Sequence, residues 1–195
     1  MEMTLFDRDW AASFQAWSML RLADTDAWRT QINTDIRTAD RFMDLMASYP
    51  DGKSERIKAF LLYARLTGDT TFQERAEAIG DTLVRNCAPG SYLSHNLEQI
   101  DAFLALYEIT PDPDYLSLSE RLFDHIQTNL VIDDPLHPGF KIVAHDVGIA
   151  DRVKAGTWPP ASWDPDYMGA KFPACTGCNH MLCELIHKYD RLKNR

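Results

Sequence analysis

Along most of the chain apolar residues recur every three or four positions, the spacing that gathers them on one face of an α-helix. Ala11, Phe14, Trp17 and Leu20 share one such face, and Trp28, Ile32, Ala39, Met43 and Met46 share another. Ile57, Phe60, Leu61 and Ala64 form a third stripe, and Ala76, Ile79, Leu83 and Cys87 a fourth. Leu97, Ile100, Phe103, Leu104 and Tyr107 mark a fifth helix, and Leu118, Leu122, Ile126 and Leu130 a sixth. Strict two-residue alternation is nearly missing. The exception is Phe140 to Val147, expected as a short strand or an extended stretch. A last helix is expected over about Cys175 to Leu192, with Met181, Leu182, Leu185, Ile186 and Tyr189 on its apolar face. Lys188, Arg191, Lys193 and Arg195 stand at its C-terminal end, where cations favour the helix dipole. The pattern predicts an all-α protein of antiparallel helical hairpins, about seven helices plus a long loop.

The breaks between helices are regular. Asp24 to Asp26, Thr67 to Thr70 and Thr110 to Asp114 separate the first from the second, the third from the fourth and the fifth from the sixth. Gly68 suits the left-handed residue that ends a helix, and Asp69 suits the cap of the next one. Pro111 and Pro113 stop one helix and start another. Ala16-Trp17, Ala59-Phe60 and Ala102-Phe103 recur at a spacing of 43, as do Phe72 and Tyr115. Such a period with two helices per unit describes an array of stacked hairpins. The expected organisation is one helical domain over 1–195: three hairpins in 1–131, a long loop in 132–173 and a C-terminal helix in 174–195. The loop follows from composition, because six of the ten prolines and four of the nine glycines fall within 133–173. Within it, Asp164 and Pro165 suit the start of a short helical turn.

A chain of 195 residues with 45% apolar residues can bury a core without disulfides. Its net charge of −9, with no basic cluster, argues against nucleic acid and anionic membranes as partners. The first ten residues have no basic-then-apolar leader pattern, and no apolar run is long enough to span a bilayer. Three of the four cysteines lie within nine residues, unlike a secreted disulfide framework. The expectation is a cytoplasmic protein with reduced thiols. P-loop, dinucleotide-fingerprint, nucleophile-elbow and zincin motifs are all absent from the sequence.

The segments Ala59 to Ala76 and Ala102 to Leu116 carry a helix that ends in a Tyr, a Thr and an Asp-containing turn, followed by an aromatic residue on the next helix. In this they resemble hairpins of the (α/α) toroid superfamily, the six-hairpin glycosidase-like proteins, with the N-acylglucosamine 2-epimerase group as the nearest branch. The likeness covers about half the chain and concerns turn and core positions. It implies a short or partial toroid, an open array, or one half of a homodimer. It also implies a carbohydrate-active protein, as hydrolase, lyase or isomerase. The epimerase group carries a histidine three residues before an acidic residue and an alanine. Glu98 stands in that place here, ahead of Asp101-Ala102.

Two clusters carry candidate chemistry. His95, Glu98 and Asp101 fall three residues apart at the start of the fifth helix, so neighbouring members share a face. In a toroid that end opens on the cavity. There Glu98 and Asp101, with Asp146 from the long loop, would serve as acid and base on a glycoside. His95, His145, Trp158, Trp163 and Tyr167 would bind the sugar through flat faces and hydrogen bonds. The competing expectation is structural: Ser94 or Asn96 caps the helix and Glu98 favours its dipole. Arg152 and Lys154 are cations placed to receive an anionic saccharide.

The second cluster is Cys175, Cys178, Cys183 and His187. C-x-x-C is a metal-knuckle spacing and Cys183 with His187 an i, i+4 pair, a ligand set that suits zinc. The same C-x-x-C is also a redox-dithiol spacing, but its usual βα context is missing here. Inert packing of cysteine as a small apolar residue is the third alternative. His180 and Glu184 form a second i, i+4 pair. His125 is expected at the surface and His137 in a turn. The rival to a saccharide enzyme is a non-catalytic helical-repeat protein that binds a partner on its concave face, with or without a structural zinc.

Overall fold

Two helices joined by a two-residue turn begin the described part of the chain, which in this computed structural model comprises residues 53–159 and 173–195. The first two expected helices, the Ala16-Trp17 copy of the repeat, Trp163, Tyr167 and the turn at Asp164 lie outside the described residues. The chain divides into two compact units between Asn86 and Cys87.

In the first unit, α1 is Lys53–Thr67 and α2 is Thr70–Asn86. Gly68 ends α1 with φ at 76°, donating its N–H to the Ala64 carbonyl at 2.8 Å. A side chain would be strained in that backbone conformation, and glycine is not. The Asp69 carboxylate then accepts the Thr71 hydroxyl at 2.7 Å and the Thr71 N–H at 3.0 Å, which starts α2. The buried Phe60 and Tyr63 of α1 meet Phe72 of α2, with ring centroids 5.7 and 4.4 Å apart.

The second unit contains α3 (Leu93–Tyr107), α4 (Pro113–Asn129), β1 (Val131–Asp133), β2 (Lys141–Val143), α5 (Val147–Lys154) and α6 (Thr176–Lys193). Every residue from Gln99 to Leu106 is buried, so α3 is covered on all sides. Most of that stretch is apolar, with Gln99 and Asp101 buried among it, and α3 packs against both α4 and α6. Asp112 caps α4 by accepting the Asp114 N–H at 2.9 Å, and Pro113 occupies the first helical position. The 43-residue repeat has a physical counterpart here. Phe103 and Tyr115 meet at 6.0 Å, as Phe60 and Phe72 do, and Asp112 caps as Asp69 does. The rings stack at 21° in this second copy and meet edge-on at 62° in the first.

After α4 the expected long loop is in part regular structure. β1 and β2 pair antiparallel with Val131 opposite Val143 and Asp133 opposite Lys141. Their connection is held by Asp134, which accepts the Leu136 N–H and lies 2.8 Å from His137 Nδ1. These contacts hold the Asp134 carboxyl below the usual carboxylate range, and they place His137 in the turn as expected. Ile132 and Ala144 form a small cluster with Ile149 and Ala150 of α5, joined by Ile142, Val153 and Trp158. Three-residue strands are too short to produce a visible alternation, which is why the sequence pattern missed β1.

On α6, Leu182, Leu185, Tyr189 and Leu192 are buried at helical spacing. Its basic end does more than offset the dipole. Lys188 and Arg191 reach Glu108, just past the end of α3, at 3.1 and 3.5 Å, and Lys193 reaches Glu120 of α4 at 3.1 Å. Among the described residues no helix is long and apolar enough to cross a membrane.

Candidate functional site

Three helix starts of the second unit are tied to one extended segment, residues 143–147. The Leu93 N–H at the start of α3 donates to the His145 carbonyl at 2.9 Å, and the Val147 N–H at the start of α5 donates to the Ser91 carbonyl at 3.0 Å. The His145 N–H donates to the Pro173 carbonyl at 2.9 Å, two residues before Cys175, which caps α6. Amides that open a helix have no intrahelical acceptor, and the exchange between Leu93 and Val147 satisfies one from each helix. Tyr92 is therefore the N-cap of α3 without a side-chain cap bond. The expected caps Ser94 and Asn96 lie inside the helix.

Asn96 has another task. Its fully buried carboxamide accepts the Gly90 N–H at 2.8 Å and donates to the Gly90 carbonyl at 2.9 Å. Asn179, in the first turn of α6, does the same to Val143, accepting its N–H at 3.1 Å and donating to its carbonyl at 2.9 Å. These two clamps fix the starts of α3 and α6 to the backbone beside them. His125 joins the first clamp: its Nε2 lies 3.2 Å from the Gly90 carbonyl and its Nδ1 3.1 Å from the Asn129 amide nitrogen. A carbonyl can only accept and an amide nitrogen can only donate, so His125 carries its proton on Nε2. It is half-buried and bonded rather than a surface histidine.

At the joint itself, Tyr92 is 56% exposed and its ring stands edge-on to His145 at 5.8 Å. His145 Nδ1 lies 3.6 Å from Asp146 Oδ2. The other Asp146 oxygen accepts the Ile149 N–H at 2.9 Å, so this carboxylate caps α5. Glu98 is half-buried and Asp101 buried, and Asp101 stands eight residues into α3, about 12 Å along the axis from its first residue. The joint therefore gathers His145 and Asp146 with Tyr92, which the sequence reading did not single out. Asp101 is carried away from it by helix rise. His95 is exposed, and its ring lies over Gly90, where a Cβ would come within 2.4 Å of it. Trp158, expected as a stacking face, is half-buried against the cluster around Ile132 and Ile149. Lys154 donates to the Asn129 carbonyl at 3.2 Å.

The cysteine cluster is also rearranged. The zinc set is not formed: among the described residues no three His, Cys, Asp or Glu side chains are grouped to hold a metal ion. Helix geometry is the reason. Cys183 lies eight residues beyond Cys175, about 12 Å along α6, and points about 140° away from Cys178. Cys183 and His187 are exposed, as are His180 and Glu184, which pair at 3.8 Å. Cys175 and Cys178 do meet. The Cys175 sulfur caps α6 by accepting the Cys178 N–H at 3.4 Å. That amide, then the Cys178 thiol and the Gly177 N–H, hold the Cys175 thiol below its ordinary value. Burial, followed by the bond to the Cys175 sulfur, pushes Cys178 up to about 12. Both are half-buried and free of disulfides.

The chain was compared with family models, curated proteins and solved structures. None matches.

Proposed function

We propose that the protein is carbohydrate-active and holds a saccharide at the joint of the α3, α5 and α6 starts. The observation that supports this is the exposed Tyr92 ring set beside His145 and Asp146. An exposed aromatic face next to a carboxylate and an imidazole offers a sugar both stacking and hydrogen-bond partners. The resemblance of the hairpin turns to the toroid superfamily points to the same ligand class. Glu98, half-buried on the second turn of α3, is the residue we assign to acid or base chemistry. Asp146 is committed to capping, so its part is to orient His145.

The test is a nuclear magnetic resonance titration of the full chain with a panel of neutral and acidic mono- and oligosaccharides. A ligand with a Kd of about 1 mM or tighter, a binding free energy of about −4 kcal/mol or better, should shift the Tyr92 and His145 resonances. Tyr92→Ala should weaken it about tenfold by removing the stacking face. A panel in which no sugar moves those resonances, or a bound sugar indifferent to Tyr92→Ala, refutes the proposal.

A further inference from the structure

The Cys175–Cys178 pair was set aside by the saccharide reading, and it has the arrangement of an exchange-active dithiol. Four features of α6 produce it. The two thiols are spaced so that one helical turn brings them together. The first sulfur occupies the N-cap and receives the Cys178 N–H at 3.4 Å, with the positive end of the helix dipole behind it. Between them, Thr176 and Gly177 are exposed, and even a Cβ on Gly177 would come no closer than 4.0 Å to the Cys175 sulfur. Cys175 itself is partly exposed. Finally, the turn is anchored. Asn179 grips both Val143 and the Cys175 carbonyl, the latter at 3.0 Å, so the cap geometry is held from outside the helix.

We infer that Cys175 and Cys178 form a thiol–disulfide exchange site for low-molecular-weight disulfides, with Cys175 as the attacking sulfur and Cys178 as the resolving one. The steps balance as follows. The Cys175 thiolate attacks one sulfur of an external disulfide. That S–S bond breaks, one thiolate leaves and takes a proton from water, and a mixed disulfide forms on Cys175. Cys178 then gives its proton to solvent and attacks the Cys175 sulfur. The mixed disulfide breaks, the second external thiolate leaves and is protonated, and the Cys175–Cys178 bond closes. Two electrons pass from the protein dithiol to the external disulfide. The asymmetry of the pair fits this order. Amide donors favour the Cys175 thiolate, whereas Cys178 keeps its proton while Cys175 is charged. Once Cys175 is in the mixed disulfide, its charge and its acceptance of the Cys178 thiol are gone; burial still holds the Cys178 proton, but the thiolate that attacks costs less to form. This arrangement does not need the strand–helix setting in which redox C-x-x-C pairs are usually sought, because the N-cap and the Asn179 clamp supply the geometry.

The experiment uses the full chain carrying Cys183→Ser, since Cys183 is exposed and falls in the same tryptic peptide, Phe172 to Lys188. The reduced protein is treated with oxidised glutathione, quenched in acid, labelled with a maleimide and digested. The expected product is that peptide two hydrogens lighter and unlabelled, with two glutathione thiols released per chain. Cys178→Ser should stop at one glutathione held on Cys175, and Cys175→Ser should leave Cys178 without an adduct. With iodoacetamide at neutral pH, Cys175 should be alkylated at least about tenfold faster than Cys178. A peptide that stays fully maleimide-labelled overturns the inference, and so does a wild-type adduct on Cys175 that Cys178 never resolves. The unsubstituted chain decides the matter if a serine variant does not fold: disulfide formation confined to other cysteines overturns the inference as well. None of these readouts depends on sugar binding at the joint.

Discussion

Asn96 and Asn179 show how one side chain can stand in for a strand. A carboxamide presents an acceptor and a donor side by side, so it can serve the N–H and the carbonyl of one residue at once. Gly90 and Val143 are served in this way. Asn96 is fully buried, so Asn96→Ala leaves the Gly90 N–H without its acceptor and should cost about 2–3 kcal/mol in a urea titration. Asn96→Asp should not recover it, because a carboxylate cannot donate to the Gly90 carbonyl. Gly90→Ala probes the other side of the clamp. A Cβ there meets His95 at 2.4 Å, so the variant should melt lower, and His95→Ala in the same chain should restore part of the loss. Neither clamp was legible in the sequence. The Asn179 partner is 36 residues away, and an asparagine near a helix start reads first as a cap. The C-x-x-C spacing was legible, with zinc, redox exchange and inert packing as its alternatives. What the sequence could not supply was the cap: that the Cys175 sulfur, and not a hydroxyl or carboxylate, receives the Cys178 amide in the first turn of α6.

At the scale of elements, the hairpin turns were the most legible part of the chain because every interaction in them is local. Gly68, Asp69 and Pro113 act within one helical turn of themselves and have the expected tasks, and Asp112 adds a cap that was not singled out. Asp112→Ala should cost about 1 kcal/mol by removing the cap of α4. The cap at Asp69 carries a pH signature. The Thr71 hydroxyl and then the Thr71 amide hold its carboxyl below the usual range. Its folded value is therefore lower than its unfolded one, so its contribution is complete above the unfolded value of about 4 and fades as pH falls through the folded value. The difference in Tm between the wild type and Asp69→Ala should be largest near neutrality and shrink in acid. The elements beyond Leu130 were less legible. Two three-residue strands and an eight-residue helix leave too few periods to register, and prolines and glycines around them suggested a loop. Their order comes from burying Ile132, Ala144, Ile149 and Trp158 together, a cluster assembled from four separate segments. For α3 the burial on all sides has a dynamic consequence. Its amides from Gln99 to Leu106 should exchange with deuterium more slowly than those of α5, which has two buried residues.

For the whole molecule, the net charge of −9 sets a background on which these local terms act. Self-repulsion of an acidic chain favours expansion, and salt screens it. Sodium chloride raised to about 0.5 M, where screening acts within a few ångströms, should therefore raise Tm in scanning calorimetry. The Glu108 pairs to Lys188 and Arg191 weaken under the same conditions, but partly exposed pairs contribute little enough for the global term to prevail. The Asn179 clamp has one more effect at this scale. A two-stranded ribbon normally leaves an outer row of amides and carbonyls able to recruit a strand from another molecule. At Val143 both of those groups are already engaged by a side chain of α6. The clamp that steadies the dithiol turn thus also blunts the free edge of β2, and an Asn179→Ala chain would lose a guard against edge-to-edge aggregation together with the anchor of its helix.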